Sequence, residues 1–177
     1  EYHFDTRHVF AVGDSAGANI LGLYAARCAD ENAPDIPVTP PCGFVPTALA
    51  LNCGQYRIDP AQKELINHLL PDILPHSGTP AELHALDVTA HVTENYPPCF
   101  VMTANADFLR AQTPLMTAEL DAHGVPYVYR CYGDNAQKLQ HVFHCNVRSP
   151  AAQACNAEEC EFFKRFIKGK ELPYESR

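Results

Sequence analysis

Positive charge is scarce in this 177-residue sequence: 13 lysines and arginines stand against 21 aspartates and glutamates, a formal net charge of −8. With a pI near 5.5, that balance argues against nucleic-acid binding and against docking on an anionic membrane surface. No apolar run approaches the roughly 18 residues of a membrane span, and no signal peptide opens the chain. Nor is there a C-x-x-C pair among Cys28, Cys42, Cys53, Cys99, Cys131, Cys145, Cys155 and Cys160. Most of these lie in apolar runs such as Pro98-Cys99-Phe100-Val101, so buried free thiols of a cytoplasmic protein are expected rather than a disulfide framework. His141-x-x-His144-Cys145 has metal-like spacing but no matching second ligand pair, so no metal is expected. Internal repeats and low-complexity segments are absent. An initiating methionine is absent too, and a chain that starts at Glu1 almost directly on a strand reads as cut.

What is present is enough for one domain. At 46% hydrophobic, a chain of this length can bury roughly 70% of its unfolded surface. The short apolar run Val9-Phe10-Ala11-Val12 stops at Gly13, and a helix-like pattern begins at Ser15. Between them lies Gly13-Asp14-Ser15-Ala16-Gly17, a G-x-S-x-G sequence in a strand–turn–helix context. The chain reverses sharply there, so a β-carbon at Gly13 or Gly17 is expected to crowd the turn. Ser15 is expected in a strained conformation with its hydroxyl exposed, as a nucleophile; the rival reading is a serine that merely caps the helix.

Strands and helices alternate along the rest of the chain. Helices are expected over 15–28, from Thr113 to Gly124, and from Ser149-Pro150 to Gly169; strands over 44–53, 98–104 and 125–132. The near-continuous apolar run at 44–53 suits a parallel strand buried on both faces. Between about 55 and 96 the pattern changes. Asp59-Pro60-Ala61-Gln62 and Thr79-Pro80-Ala81-Glu82 each read as an N-cap, a proline at the first helical position and a capping-box partner. This excursion is longer than a routine crossover, and two readings stand: an insertion beside the active site, or a decorated crossover without a binding role. The whole predicts an α/β fold with a mostly parallel sheet and flanking helices.

A serine hydroxyl needs a base within hydrogen-bond reach and a group to orient that base. In open parallel sheets such residues gather beyond the carboxyl ends of strands. Asp107 follows the third expected strand and His141 lies in the loop after the fourth, giving the chain order Ser, Asp, His. Asp107 could instead cap the following helix. Asp14 and Asp134 are rival acids, and His144 is a rival base.

These stretches resemble the hormone-sensitive-lipase-like branch of the α/β-hydrolases, which includes bacterial acetyl-esterases and carboxylesterases. The matching residues are Gly13-Asp14-Ser15-Ala16-Gly17-Ala18-Asn19, Pro97-Pro98 leading to Asp107-Phe108-Leu109-Arg110, and Gly124-Val125-Pro126 leading to His141-Val142-Phe143. Val142 departs from the family, which usually has glycine there. The resemblance favours His141 over His144 as base, and implies a serine esterase acting on small acyl, acetyl-type esters through an acyl-enzyme, without a cofactor. It also implies that residues 1–177 are the C-terminal part of one catalytic domain, with an insertion at about 55–96. The alternatives are a non-catalytic hydrolase-fold binding protein, or a lipase or peptidase on the same scaffold. The family's His-Gly-Gly-type loop, which supplies half the oxyanion hole, does not occur in this sequence; Ala16 N–H supplies the other half. The strand ending at Val12 is expected to expose an edge carrying Val9, Phe10 and Val12. The chain taken alone is therefore expected to be nearly inactive, and to self-associate or need an N-terminal partner segment.

Overall fold

The computed structural model describes residues 3, 5–30, 33, 36, 38–59 and 68–167. Four strands, β1 (Phe10–Asp14), β2 (Ala48–Asn52), β3 (Cys99–Ala104) and β4 (Tyr127–Tyr132), form one sheet in the order β1-β2-β3-β4. Every pairing is parallel, with Val12 opposite Ala50, Ala50 opposite Phe100, and Phe100 opposite Val128. Parallel neighbours need crossovers. The principal helices that provide or flank them are α1 (Ala16–Ala29), α4 (Thr113–Ala122) and α5 (Pro150–Ile167), with two short helices, α2 (Leu70–Ile73) and α3 (Pro80–Leu86), in the long excursion.

β2 and β3 are buried at every position, because helices cover both faces of the sheet. On one face Leu49, Leu51, Cys99 and Val101 pack with Ala18, Leu23 and Ala25 of α1 and Met116 and Leu120 of α4. On the other, Ala48, Ala50, Phe100 and Met102 meet Cys155 and Phe162 of α5. The alternation of side chains along each strand sorts the two sets.

The expected strand at 44–53 narrows to Ala48–Asn52; Pro46, which has no N–H to give a ladder, lies just before it. Likewise the strand expected from Val125 begins at Tyr127, after Pro126. α4 ends at Ala122, and Gly124 takes φ 65°, the left-handed conformation that lets the chain turn back. Thr79 and Glu82 form the expected capping box of α3. Of the first expected excursion helix, residues 60–67 lie outside the described residues, as do Lys168 and Gly169 at the chain's last helix.

Two expectations are corrected. All eight cysteines are free, but only Cys53, Cys99 and Cys155 are buried, while Cys42, Cys131, Cys145 and Cys160 are exposed. Strand alternation puts Cys131 of β4 outward, between Arg130 and Tyr132. At β1, which pairs with β2 alone among the described residues, Val12 is 52% exposed, yet Phe10 is covered. Its ring lies 4.8 Å from that of Phe163 and 6.2 Å from that of Phe166, both on α5.

Candidate active site

The carboxyl ends of β1, β3 and β4 bring three loops together. At the first, the chain turns from β1 into α1 through a single residue, Ser15, held at φ 54°, ψ −118°. A non-glycine residue at positive φ is strained, and the surroundings hold it there. Ser15 N–H donates to the Asn52 carbonyl (2.9 Å), and its own carbonyl accepts from Ala18 N–H (3.1 Å) and Gln55 N–H (3.3 Å). A Cβ on Gly13 would lie 2.5 Å from the Gly17 carbonyl oxygen, so residue 13 must be glycine. Gly17 does not share that constraint: a Cβ there meets nothing within 4 Å, because it faces open space. The Ser15 side chain makes no capping hydrogen bond. Its Oγ instead lies 2.9 Å from Nε2 of His141.

His141 bonds through its other nitrogen, with Nδ1 2.7 Å from Asp107 Oδ1. An ionised carboxylate only accepts, so Nδ1 carries the proton and Nε2 offers a lone pair to the serine hydroxyl. The Asp107 side chain is wholly buried. It also accepts from Leu109 N–H (2.9 Å) and from the Thr103 hydroxyl (2.9 Å). The helix-capping alternative is thus half right: Asp107 orders its own loop and reaches His141 as well. The exposed Phe108 ring packs on the imidazole, with centroids 4.4 Å apart.

The structure adds two features to the histidine loop: the role of Asn105, which escaped the sequence, and the conformation of Val142, whose departure from glycine the sequence marks. Asn105 pins the loop: its side chain accepts from Leu139 N–H (2.9 Å) and donates to the carbonyls of Asp134 (2.7 Å) and Gln137 (3.1 Å). Asn105 sits two residues before Asp107, a loop position that could have singled it out. Val142 adopts φ 49°, ψ 34°, which explains why glycine is the usual residue between the histidine and the phenylalanine.

The rivals fall elsewhere. Asp134 accepts from Ala136 N–H (2.8 Å) and Gln137 N–H (2.7 Å) within its own turn. Asp14 and His144 bind each other, Oδ1 to Nε2 at 2.7 Å, a pairing that sequence spacing of 130 residues conceals. Beside them Glu159, raised by burial above its ordinary carboxyl pKa, accepts from Asn52 Nδ2 at 2.8 Å. Cys53 is buried against Asp107 and His141; burial first, then the Asp107 charge, pushes its thiol pKa far up, so it stays protonated.

Residues 1–145 match the family model described as alpha/beta hydrolase fold. The chain belongs to this family. No curated protein matches the sequence. Among solved structures, esterase B from Lactobacillus rhamnosis superposes with a TM-score of 0.76 at 22% identity, over 94% of this chain and 55% of that one. An esterase/lipase from an uncultured bacterium gives 0.67 at 16% identity, over 92% and 54%. A sugar hydrolase from Lactococcus lactis gives 0.67 at 16% identity, over 95% and 62%. This α/β-hydrolase chain thus spans a little over half the length of the structures it resembles. No helix among its described residues is long and apolar enough to cross a membrane.

Proposed function

We propose that this α/β-hydrolase hydrolyses small acyl, acetyl-type carboxylic esters through an acyl-enzyme on Ser15. What carries the reading is the unbroken chain Ser15 Oγ, His141 Nε2 (2.9 Å), His141 Nδ1, Asp107 Oδ1 (2.7 Å). His141 takes the hydroxyl proton as Ser15 Oγ bonds to the ester carbonyl carbon. The resulting imidazolium is stabilised by Asp107, then gives its proton to the leaving alcohol. Water, deprotonated by the same imidazole, attacks the acyl-enzyme and frees Ser15. Ala16 N–H belongs to the first turn of α1, where helix donors have no intrahelical partner. In this reading it donates to the oxyanion, and residues 55–96 are an insertion bordering the site.

A fluorophosphonate probe tests the chemistry directly, because it bonds only to an activated serine. Labelling is expected at Ser15, and is lost in His141→Gln. A folded protein supplied with its N-terminal partner segment that takes up no probe overturns the reading in favour of a non-catalytic binding role. Esters of graded acyl length, set beside peptide amides, test the substrate class: turnover that rises with chain length, or amide cleavage, means a lipase or peptidase instead.

A further inference from the structure

His144 and Cys145 are consecutive, and the sequence offers them no second ligand pair. The fold supplies a third donor from the opposite end of the chain. Asp14, at the tip of β1, lies 2.7 Å from His144 Nε2 through Oδ1, and Cys145 Sγ lies 3.9 Å from the same nitrogen. All three ligand atoms fall within 4.8 Å of one another. In tetrahedral zinc, bond lengths of about 2.0–2.3 Å put neighbouring donor atoms roughly 3.3–3.5 Å apart. The two measured separations bracket that range. The adjustments fall on side chains able to make them, since Asp14 is 41% exposed and Cys145 lies at the surface, while His144 is fixed at 7% exposure.

We propose that Asp14, His144 and Cys145 form a site for a thiophilic divalent cation of the zinc class. One carboxylate oxygen, one imidazole nitrogen and one thiolate make three protein ligands, and the exposed side leaves a fourth position for water. On binding, the Cys145 thiol releases its proton to solvent as the sulfur–metal bond forms. The Nε2 proton of His144 shifts to Nδ1, which has no hydrogen-bond partner among the described residues. No electron changes hands. The second cluster of this kind, Cys53 with Asp107 and His141, is a poor alternative, because a metal there must break the 2.7 Å bond from His141 to the fully buried Asp107.

The site straddles two loops that matter. Asp14 directly precedes Ser15, and His144 follows His141 by three residues, so a bound ion replaces their hydrogen bond and draws on both loops at once. The consequence for turnover rests on the proposed esterase reading; the binding itself does not. Titration with cadmium, read by its thiolate charge-transfer absorbance, is expected to saturate at one equivalent at this site. The band should be lost in Cys145→Ala, and kept in Cys131→Ala, which removes another exposed thiol, and in Ser15→Ala. Affinity should fall about tenfold or more in Asp14→Asn. An undiminished band in Cys145→Ala, or none in the unaltered protein, overturns the site. With zinc, ester turnover should fall at least tenfold and recover on chelation, and Cys145→Ala should escape the effect. Equal inhibition of Cys145→Ala overturns the link to catalysis. A protein supplied with its N-terminal partner segment that binds cadmium this way but hydrolyses no ester refutes the esterase reading and leaves the metal site standing.

Discussion

His141 and His144 stand three residues apart, and each meets an aspartate at 2.7 Å, yet the two pairs are built inside out relative to each other. In the first, Asp107 is wholly buried and His141, 18% exposed, reaches outward to Ser15. In the second, His144 is 7% exposed and Asp14 is the outward member at 41%. A buried carboxylate with three hydrogen bonds fixes a tautomer and holds its charge ready for an imidazolium. A buried imidazole on a half-exposed carboxylate has its reactive nitrogen already occupied, so it ties one loop to another. In the proposed mechanism the same two residue types thus make a relay in one place and a clamp in the other, and burial decides which.

The largest effect expected is at the bases. His141→Gln should lower ester turnover by about 10⁴-fold or more, since members of such a unit fail together. His144→Gln should cost no more than about tenfold, because it touches Ser15 only through Asp14. Steady-state turnover and the rate of phosphonate labelling both read this. Equal losses at the two histidines, in folded proteins, would erase the distinction between relay and clamp.

At the carboxylates the contrast is expected to persist on a smaller scale. Asp107→Asn, which can no longer hold Nδ1–H as a charged acceptor, should cost about 10³–10⁴-fold in kcat. Asp14→Asn keeps the shape of the clamp and should leave kcat within about tenfold. Thr103→Val removes one of the three bonds to Asp107, and a loss of only a few-fold is expected there, with KM unchanged.

The first of the two residues between the histidines sharpens the comparison further. Val142 sits at φ 49°, a conformation that costs a side-chain-bearing residue about 1–2 kcal/mol. It also packs on the α5-side core. In Val142→Gly the relieved strain and the lost contact oppose each other, so unfolding free energy should move by no more than about 1 kcal/mol. Turnover should stay within a few-fold, because the two pairs and Asn105 hold the loop. A collapse of activity would show that valine's fit, rather than the paired carboxylates, sets the position of His141.

How legible all this was depended on the distance between cause and effect along the chain. The G-x-S-x-G turn, the Thr79–Glu82 capping box and the apolar run of β2 are local, and each was readable from a few neighbouring residues. The order of Ser15, Asp107 and His141 was readable because strand ends converge in a parallel sheet. The Asp14–His144 clamp was not, since the two residues are joined only by the fold and each had a plausible separate identity as a rival acid or base. The exposure of Cys131 was hidden for a different reason: the apolar residues near it in β4 predict burial only when the strand's outward face is also covered. Gly17 was misread because the motif invites the same steric argument at both glycines, whereas backbone lies against Gly13 alone.

The smallest effect expected concerns the acid next to the clamp. Burial, followed in size by the opposing hydrogen bond from Asn52 and attraction of His144, leaves Glu159 with a pKa above its ordinary value. Beside the relay the Cys53 thiol is likewise raised by burial and by the Asp107 charge, while Asp107 itself accepts from Leu109 N–H and the Thr103 hydroxyl. The sign follows from proton linkage. A carboxyl whose folded pKa is raised binds its proton more tightly in the folded state, so ionising it costs stability above that pKa. The cost is relieved as pH falls through the folded value toward the ordinary one. Glu159→Gln removes the charge while keeping an oxygen to accept from Asn52. Its Tm should therefore lie slightly above that of the unaltered protein at pH 7, and the gap should close in acid. If the variant is instead less stable at pH 7 and the deficit shrinks in acid, then the ionised Glu159 is held by His144 more strongly than burial opposes it. The clamp would then be a three-membered charge network rather than a pair.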